Sequence, residues 1–320
     1  MKHHPFALFG LEGSRPFAEQ LAIHLEVPLV QHEERAFEDG EHKARSLQGV
    51  RGHEAFVIHS LHGDDKQSVN DKLCRLLFFC GALKDAGART VTAVTPYLCY
   101  ARKDRRTKAN DPITTRYVAQ LFEAVGIDRV IAMEVHNLAA FENAFRCPTL
   151  HVEFAPLLAA HFAPLLRDQP VVAVSPDAGG TKREEQFRLE LQRLLKRDVG
   201  SAFIEKYRSG GIVTGELLAG DVRGKVAIIV DDLVSTGGTL AKAARAVRAG
   251  GATKIYAAAA HGLFMGGAGE LLDEPVLDSI VIGNAVPAFR VPMQVAAQRL
   301  VVLDVSEAIA NAITEFRDGA

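Results

Sequence analysis

The chain has 320 residues, of which 48% are hydrophobic and 24% are charged. This length suggests two domains and supplies ample apolar material for buried cores. The formal net charge of -2 argues against general attraction to nucleic acid or to an anionic membrane. No apolar run is long enough for a signal peptide or a membrane span, and the four cysteines lack the paired spacing of metal sites or disulfides. We therefore expect a soluble cytoplasmic protein.

The first part of the chain alternates apolar strands and amphipathic helices. Residues 6–9 predict a strand, residues 17–25 a helix, residues 56–59 a second strand, and residues 73–83 a second helix. The polar segment ERAFEDGEHKARS lies between the first helix and the second strand, with a tight hairpin-type turn at Asp39-Gly40. From the residues alone, this segment is expected to be a solvated loop.

The most basic part of the chain, TPYLCYARKDRRTKANDPIT, follows a strand at residues 91–95. A run of charges is usually a solvated face. Alternatively, it is a loop at the carboxyl end of a strand, with cations for a polyphosphate and tyrosines for a base.

The next predicted strand, residues 130–133, is followed by Glu134 and His136. Because these residues are two apart on a strand end, we expect their side chains on one face, where they could share a metal or a phosphate.

Two further polar stretches precede the best-defined motif. A strand at residues 171–174 ends in SPDAGGTKR, in which Asp177 and two glycines suit pyrophosphate binding through backbone N–H groups, although an ordinary Pro-Asp turn looks the same. Lys206 and Arg208 alternate on one face of a predicted strand end. They are either gatekeepers of an edge strand or cations that close over a transferring phosphoryl group.

The stretch KVAIIVDDLVSTGGTLAKAARAV, residues 225–247, organises the rest of the chain. Residues 226–230 predict a strand buried on both faces, and a helix should begin near Thr239. Asp231 and Asp232 end the strand, and Ser235, Thr236, Gly237, Gly238 and Thr239 form the turn. Glycine backbone and helix N–H donors suit a phosphate, and the carboxylates suit hydroxyls or Mg²⁺. The alternative is an ordinary turn with a hydroxyl cap.

An internal repeat divides the sequence into similar halves. ALKDAGARTVTAVTPY, from Ala82, parallels AVRAGGATKIYAAAAHG, from Ala246, and each copy follows a strand, a polar loop and a helix. The repeat predicts an α/β protein of two similar halves with parallel sheets, in which only the second half keeps the phosphate loop.

Taken in order, these motifs resemble those of the ribose-phosphate diphosphokinase family, which makes 5-phosphoribosyl 1-diphosphate (PRPP) and has the type I phosphoribosyltransferase fold. The resemblance covers nearly the whole chain, from FEDGE through PYLCYARKDRR, SPDAGG and VDDLVSTGGTL to HGLF. It implies two phosphoribosyltransferase-like domains, each with a mostly parallel sheet flanked by helices. Residues 1–147 would form the ATP side, with the C-terminal helix 304–318 packing back on it, and residues 148–303 would form the ribose 5-phosphate side. A homo-oligomer built from dimers, up to a hexamer, is also implied.

The resemblance also assigns roles to individual residues. It implies transfer of the β,γ-diphosphoryl group of ATP to the 1-hydroxyl of ribose 5-phosphate, giving PRPP and AMP, with Mg²⁺ as cofactor and no nucleic-acid or membrane partner. The implied ATP-binding residues are Phe37, Asp39, Glu41, Arg102, Lys103, Asp104 and His136; the ribose 5-phosphate residues are Asp231, Asp232, Ser235, Thr236, Gly237, Gly238 and Thr239; the metal residues are His136, Asp177 and Glu134; and the catalytic residues are Lys206 and Arg208.

The sequence departs from the family pattern at several of these positions. Glu134 stands where Asp is usual, Lys103 where Gln is common, Ala178 where His is common and Ser235 where Asp is common. An altered-substrate or catalytically silent regulatory paralogue is therefore the main alternative. A PRPP-consuming transferase would not need two halves or the basic loop. A nucleic-acid-binding role would rest on RKDRR alone.

Overall fold

The computed structural model describes residues 6–209 and 212–318, and for residues 206–209, 212–216 and 267 it describes the backbone alone. The described chain divides into two compact units, one that runs to Val152 and resumes at Ser306, and one that comprises Glu153–Val305. The sequence-based boundary between residues 147 and 148 falls just before the last strand of the first unit's sheet. Each unit has its own buried apolar core.

The first unit contains a five-stranded sheet with strand order β1-β4-β5-β6-β7, in which every neighbouring pair is parallel. Its strands carry buried apolar side chains because helices cover the sheet. Its elements up to Val152 are β1 Phe6–Gly10, α1 Arg15–His24, β2 His32–Ala36, β3 His42–Ser46, β4 Glu54–Ile58, α2 Val69–Asp85, β5 Thr90–Thr95, α3 Thr114–Ala124, β6 Arg129–Met133, α4 Leu138–Ala144 and β7 Thr149–Val152.

The segment between α1 and β4 is a hairpin rather than the solvated loop expected from its polar sequence. Strands β2 and β3 pair in antiparallel fashion. Gly40, with φ +93°, lies in the turn between them, as the Asp39-Gly40 pair indicated. The prediction of a loop was wrong because it relied on polarity, whereas the hairpin packs one face on α2.

The second unit contains a seven-stranded sheet with order β10-β9-β8-β11-β12-β13-β14, parallel except for the edge pair β9 and β10. The weakly patterned, glycine-containing segment before β11 therefore forms an edge strand. Its elements are α5 Ala155–Phe162, β8 Val171–Ser175, α6 Thr181–Leu195, β9 Gly200–Ser209, β10 Ile212–Ala219, β11 Val226–Val234, α7 Gly238–Ala249, β12 Lys254–Gly262, α8 Gly269–Leu272, β13 Ser279–Gly283, α9 Met293–Arg299 and β14 Leu300–Leu303.

The last helix, α10 Ser306–Asp318, packs against elements of the first unit. It contacts α1, β6 and β7. Arg129 donates a hydrogen bond to the Phe316 carbonyl oxygen at 3.1 Å, and its guanidinium lies 5.5 Å from the centre of the Phe316 ring. The apolar stripe predicted for this helix, which includes Ile309 and Ile313, is buried. None of the helices in the described residues is long and apolar enough to cross a membrane.

Candidate active site

The basic loop between β5 and α3 is closed by one carboxylate. Asp111 Oδ2 accepts hydrogen bonds from Lys103 Nζ at 2.8 Å, from the backbone N–H and hydroxyl of Thr107 at 3.0 and 2.7 Å, and from the Lys108 N–H at 3.0 Å. The hydrogen bond from Lys103 and those from Thr107 and Lys108 hold the pKa of Asp111 well below its usual range. The loop is therefore an ordered turn in which Lys103 is already engaged, rather than a string of solvated cations.

A second carboxylate joins this loop to the end of β6. Asp104 Oδ2 accepts a hydrogen bond from Asn137 Nδ2 at 2.6 Å. Asn137 also caps α4, because its Oδ1 accepts from the Ala140 N–H at 3.2 Å. Asp104 is thus bound to the residue that follows His136, and the side chains of His136 and Arg102 are both exposed. The sequence reasoning missed Asn137, although an Asn directly before an apolar helix is a standard cap signal.

The placement of Glu134 differs from the sequence-based expectation. Strand β6 ends at Met133, and Glu134 has a left-handed backbone with φ +42°. Glu134 is buried whereas His136 is exposed. The two residues therefore do not share a strand face, because the two-residue period holds only within a strand. The spacing argument for a shared metal does not apply to them.

The tip of the β2–β3 hairpin carries Phe37, Asp39 and Glu41. Asp39 Oδ1 accepts a hydrogen bond from the Glu41 N–H at 3.0 Å, and Phe37 and Glu41 are joined by a backbone hydrogen bond of 2.7 Å. All three residues are exposed, and the Arg35 guanidinium lies 5.1 Å from the centre of the Phe37 ring. The tip is an ordered turn that presents an aromatic ring and carboxylates to the outside.

In the second unit, the turn after β8 is held by Asp177. Its Oδ1 accepts hydrogen bonds from the N–H groups of Gly179 at 2.9 Å and Gly180 at 3.2 Å. The two glycine N–H groups that the sequence offered for a pyrophosphate are thus already engaged by the chain itself. The turn lies against β9 and β11, at the carboxyl edge of the sheet.

The two acids of the main motif lie within β11, which continues to Val234 instead of ending at residue 230. Asp232 is buried, and the Asp231 side chain is 22% exposed. Burial and the adjacent Asp232 carboxylate raise the pKa of Asp231 above its ordinary value. The positive charge of Arg183 opposes this rise in the pKa of Asp231, since Arg183 Nη1 lies 3.9 Å from Asp231 Oδ1.

Arg183 was not singled out by the sequence reasoning, although it stands in the quoted SPDAGGTKR segment. It lies in the first turn of α6, directly after the Asp177 turn, and reaches the carboxylates of the neighbouring strand. Strands β8 and β11 are parallel neighbours, so their carboxyl ends bring the two polar segments together. The result is one cationic side chain beside an acidic pair.

Residues 235–239, here called the phosphate loop, connect β11 to α7. Gly237 is the residue before the helix, with φ +83°, and no side-chain hydrogen bond from it caps the helix. The first N–H groups of α7 are therefore not satisfied by a cap of the usual kind. With the helix dipole and the hydroxyls of Ser235, Thr236 and Thr239, they form an arrangement suited to a phosphate dianion.

A short segment between β12 and α8 packs on this loop. The Met265 N–H donates to the Ser235 carbonyl oxygen at 2.9 Å, and the Phe264 N–H donates to the Val234 carbonyl oxygen at 3.1 Å. A Cβ at Gly237 would lie 2.5 Å from Leu271 Cβ. Glycine at this position is therefore required both by the backbone conformation and by the close approach of α8.

Lys206 and Arg208 belong to β9 by their backbone, and their side chains lie outside the described part of the structure. Strand β9 runs parallel to β8 and continues past its last residue, since Ser175 pairs with Phe203. The backbone of both residues thus extends beyond the carboxyl edge at which Asp177 lies.

The described residues contain no group of three or more His, Cys, Asp or Glu side chains that could hold a metal ion by themselves. In nucleotide-binding sites, Mg²⁺ is usually bound by one or two carboxylates together with substrate phosphates and water. The oxygen donors of Asp231 and Asp232 fit such a shared site.

The comparisons with known proteins agree with this geometry. Residues 6–126 match the N-terminal domain of ribose phosphate pyrophosphokinase, and residues 215–319 match the phosphoribosyl synthetase-associated domain. A ribose-phosphate pyrophosphokinase of Caldanaerobacter subterraneus subsp. tengcongensis is 38% identical over 98% of this chain and 95% of its own length. The chain belongs to the ribose-phosphate pyrophosphokinase family. A pyrophosphokinase of this name from Fusobacterium nucleatum is 35% identical over 95% of the chain and 91% of its own length.

A solved structure supports the same assignment. The crystal structure of phosphoribosylpyrophosphate synthetase from Mycobacterium smegmatis is 30% identical, covers 99% of this chain and 100% of its own, and gives a TM-score of 0.88. Both the suspected pyrophosphokinase family and the expected fold class, two α/β halves with mostly parallel sheets, are confirmed. The chain is therefore an enzyme of a nucleotide-biosynthetic transferase family.

Proposed function

We propose that this pyrophosphokinase transfers the β,γ-diphosphoryl group of ATP to the 1-hydroxyl of ribose 5-phosphate, releasing AMP. The observation that carries the proposal is the turn from β11 into α7. There the end of β11, which carries an acidic pair, is followed after a short loop by a helix start without a side-chain cap. A sugar phosphate fits both features, because its hydroxyls donate to carboxylates and its phosphate accepts from N–H groups.

The ribose 5-phosphate side would be the second unit, Glu153–Val305, rather than the expected residues 148–303, because residues 149–152 form a strand of the first unit's sheet. Ser235, Thr236, Gly237, Gly238 and Thr239 bind the 5-phosphate through backbone N–H groups and hydroxyls. Asp231 and Asp232 accept hydrogen bonds from the ribose hydroxyls and orient the 1-hydroxyl toward the donor. Arg183, beside Asp231, keeps this acidic pair from repelling the incoming diphosphoryl group.

The ATP side would be the first unit, which runs to Val152 and includes the last helix, Ser306–Asp318. Arg102, Lys103 and Asp104 of the basic loop and His136 at the end of β6 bind ATP, and the hydrogen bond between Asp104 and Asn137 supports their common placement. The aromatic ring of Phe37 and the carboxylates of Asp39 and Glu41 complete this side, reaching it from a neighbouring subunit of a dimer-based homo-oligomer.

The reaction is an in-line attack of the ribose 1-oxygen on the β-phosphorus of ATP. The new O–P bond forms as the bond between the β-phosphorus and the oxygen that leaves with AMP breaks, and the proton of the 1-hydroxyl passes to water. Lys206 and Arg208 stabilise the charge of the transferring group, which is the main catalytic need of phosphoryl transfer. Mg²⁺ bound to the phosphates would neutralise charge on the same group. His136 would be a candidate ligand on the ATP side and Asp177 one on the ribose 5-phosphate side. Glu134 is not proposed as a ligand, because it is buried and does not share a strand face with the exposed His136.

A phosphorus NMR time course with ATP, Mg²⁺ and ribose 5-phosphate tests this proposal. Equal amounts of AMP and a new sugar 1-diphosphate signal are expected. In a separate reaction supplied with PRPP and a nucleobase, release of free diphosphate would instead indicate a PRPP-consuming transferase. If ATP stays intact, and other nucleotides and pentose phosphates also give no reaction, the result favours the catalytically silent paralogue.

A further inference from the structure

A buried ionic network lies beneath the base of the β2–β3 hairpin. Glu34 Oε1 accepts a hydrogen bond from the Glu12 N–H at 2.6 Å and lies 3.0 Å from His32 Nε2. Glu34 Oε2 lies 3.6 Å from Arg75 Nη1. The side chains of His32, Glu34 and Arg75 are only 6%, 7% and 10% exposed. Each charged group in this network depends on its partner, because removing one of them would leave the other buried without a compensating charge.

This network connects three separate parts of the first unit. Glu12 belongs to the turn after β1, Glu34 to the hairpin, and Arg75 to α2. Burial opposes ionisation of Glu34, but the hydrogen bonds from His32 and the Glu12 N–H outweigh it and lower the pKa of Glu34 below its usual value. The carboxylate is therefore charged at neutral pH and binds all three segments at once.

The hairpin has further described attachments to the first unit. The centre of the His32 ring lies 6.2 Å from that of the Phe9 ring and 5.3 Å from that of the Phe79 ring, and Ala44 packs against the apolar core. His42 of β3 stacks on Phe78 of α2, with ring centres 5.5 Å apart and planes 18° from parallel. Both rings lie at or near the surface, since Phe78 is 59% exposed. The Glu34 network is thus a buried ionic attachment of the hairpin, and Glu34 lies three residues from the tip that begins at Phe37.

We propose that Glu34 is a positioning residue, which fixes the direction of the hairpin so that the tip residues Phe37, Asp39 and Glu41 meet ATP in productive geometry. The inference rests on the proposed role of the tip in ATP binding. It adds a residue outside the tip that touches no substrate. A displacement of about 1 Å at a positioning group can cost on the order of a hundredfold in rate.

The chain offers a matched control on the same strand. Glu33, the preceding residue, points to the other face of the hairpin, where its carboxylate pairs with Arg45 at 2.7 Å and with Lys43 at 3.9 Å. These partners are half to two-thirds exposed, so the pair contributes little to the position of the hairpin. Glu34→Gln and Glu33→Gln are the same chemical change, one in the buried network and one at the surface.

The experiment combines hydrogen exchange with steady-state kinetics on the full-length enzyme. Glu34→Gln should make the amides of residues 37–41 exchange about tenfold faster and raise KM for ATP about tenfold, with KM for ribose 5-phosphate unchanged. Glu33→Gln should alter neither. Arg75→Gln should reproduce the effect of Glu34→Gln, and Arg75→Lys, which keeps the charge, should restore most of the hairpin protection.

The two readouts separate this inference from the proposed function. If hairpin exchange in Glu34→Gln and Arg75→Gln equals that of the wild type, Glu34 does not position the hairpin, whatever the activity. Faster exchange with an unchanged KM for ATP would overturn the catalytic part of the inference. A wild type that makes no PRPP would refute the proposed function, and the exchange comparison would still decide whether Glu34 positions the hairpin. Should Glu34→Gln fail to fold, the two Arg75 variants provide the same comparison.

Discussion

Replacing Gly237 by Ala should damage the phosphate loop far more than the same change one residue later. Gly237 has φ +83°, a region in which a residue with a Cβ costs about 1–2 kcal/mol. The added Cβ would lie 2.5 Å from Leu271 Cβ, an atom next to the backbone of α8 that cannot rotate away. Relieving such an overlap typically costs a further 1–3 kcal/mol, so the total is about 2–5 kcal/mol. At Gly238, φ is not positive, and the nearest atom is Glu270 Oε2 at 3.2 Å, the end of a half-exposed side chain.

Isothermal titration calorimetry with ribose 5-phosphate and denaturant unfolding measure the two consequences of this change. Gly237→Ala should weaken ribose 5-phosphate binding at least tenfold, because 1.4 kcal/mol of lost binding free energy already has that effect. It should also lower the free energy of unfolding, while the affinity for ATP stays the same. Gly238→Ala, the matched control, should change stability by less than about 1 kcal/mol. Equal ribose 5-phosphate affinities for the two variants would refute the assignment of Gly237 as the residue that shapes the loop.

Three further changes test other parts of the site. Asp231→Asn should abolish activity yet raise the free energy of unfolding at neutral pH by about 1 kcal/mol or more. Because the pKa of Asp231 is raised in the folded state, its carboxyl group destabilises the folded wild type as pH rises above the ordinary pKa of 3.8. The stability gained by Asp231→Asn should therefore vanish below about pH 4 in denaturant titrations. Asp111→Ala should raise KM for ATP about tenfold and leave KM for ribose 5-phosphate unchanged, because it opens the basic loop. Lys206→Ala should lower kcat on the order of a hundredfold with little change in ATP affinity, since its contact would strengthen in the transition state; an unchanged kcat would remove Lys206 from the mechanism.

Local patterns in the sequence were sufficient for the strands and for the motif at the end of β11. The run at residues 226–230 is buried on both faces, as its unbroken apolar character indicated, and the helix after it begins at Gly238, one residue before the predicted start. These predictions were correct because the residues that make up each pattern lie close together in the sequence. The prediction of a solvated loop at the hairpin was wrong for the opposite reason. Strands β2 and β3 have polar sequences and are stabilised by pairing with each other, which the local pattern does not report.

The site residues that sequence reasoning missed act over long separations. Asn137 binds Asp104 across 33 positions, and Arg183 reaches Asp231 from the next strand-helix unit. Neither contact follows from spacing along the chain, because each depends on the order of parallel strands. The same limit explains the error at Glu134, where a left-handed residue ends the two-residue alternation directly after β6.

The two helices that the internal repeat makes equivalent, α2 and α7, begin with different caps. In the first half, α2 begins with a capping box: the Ser68 hydroxyl accepts from the Asp71 N–H at 3.2 Å, and the Asp71 carboxylate accepts from the Ser68 N–H at 2.7 Å. The chain thus satisfies its own helix donors there. At the equivalent start of α7, Gly237 has no side chain to offer, and α8 approaches so closely that none would fit. The two similar strand-loop-helix units therefore differ at the helix cap. A helix capped by its own side chains leaves fewer N–H donors for a ligand. A helix preceded by glycine keeps its first N–H groups available for an incoming phosphate.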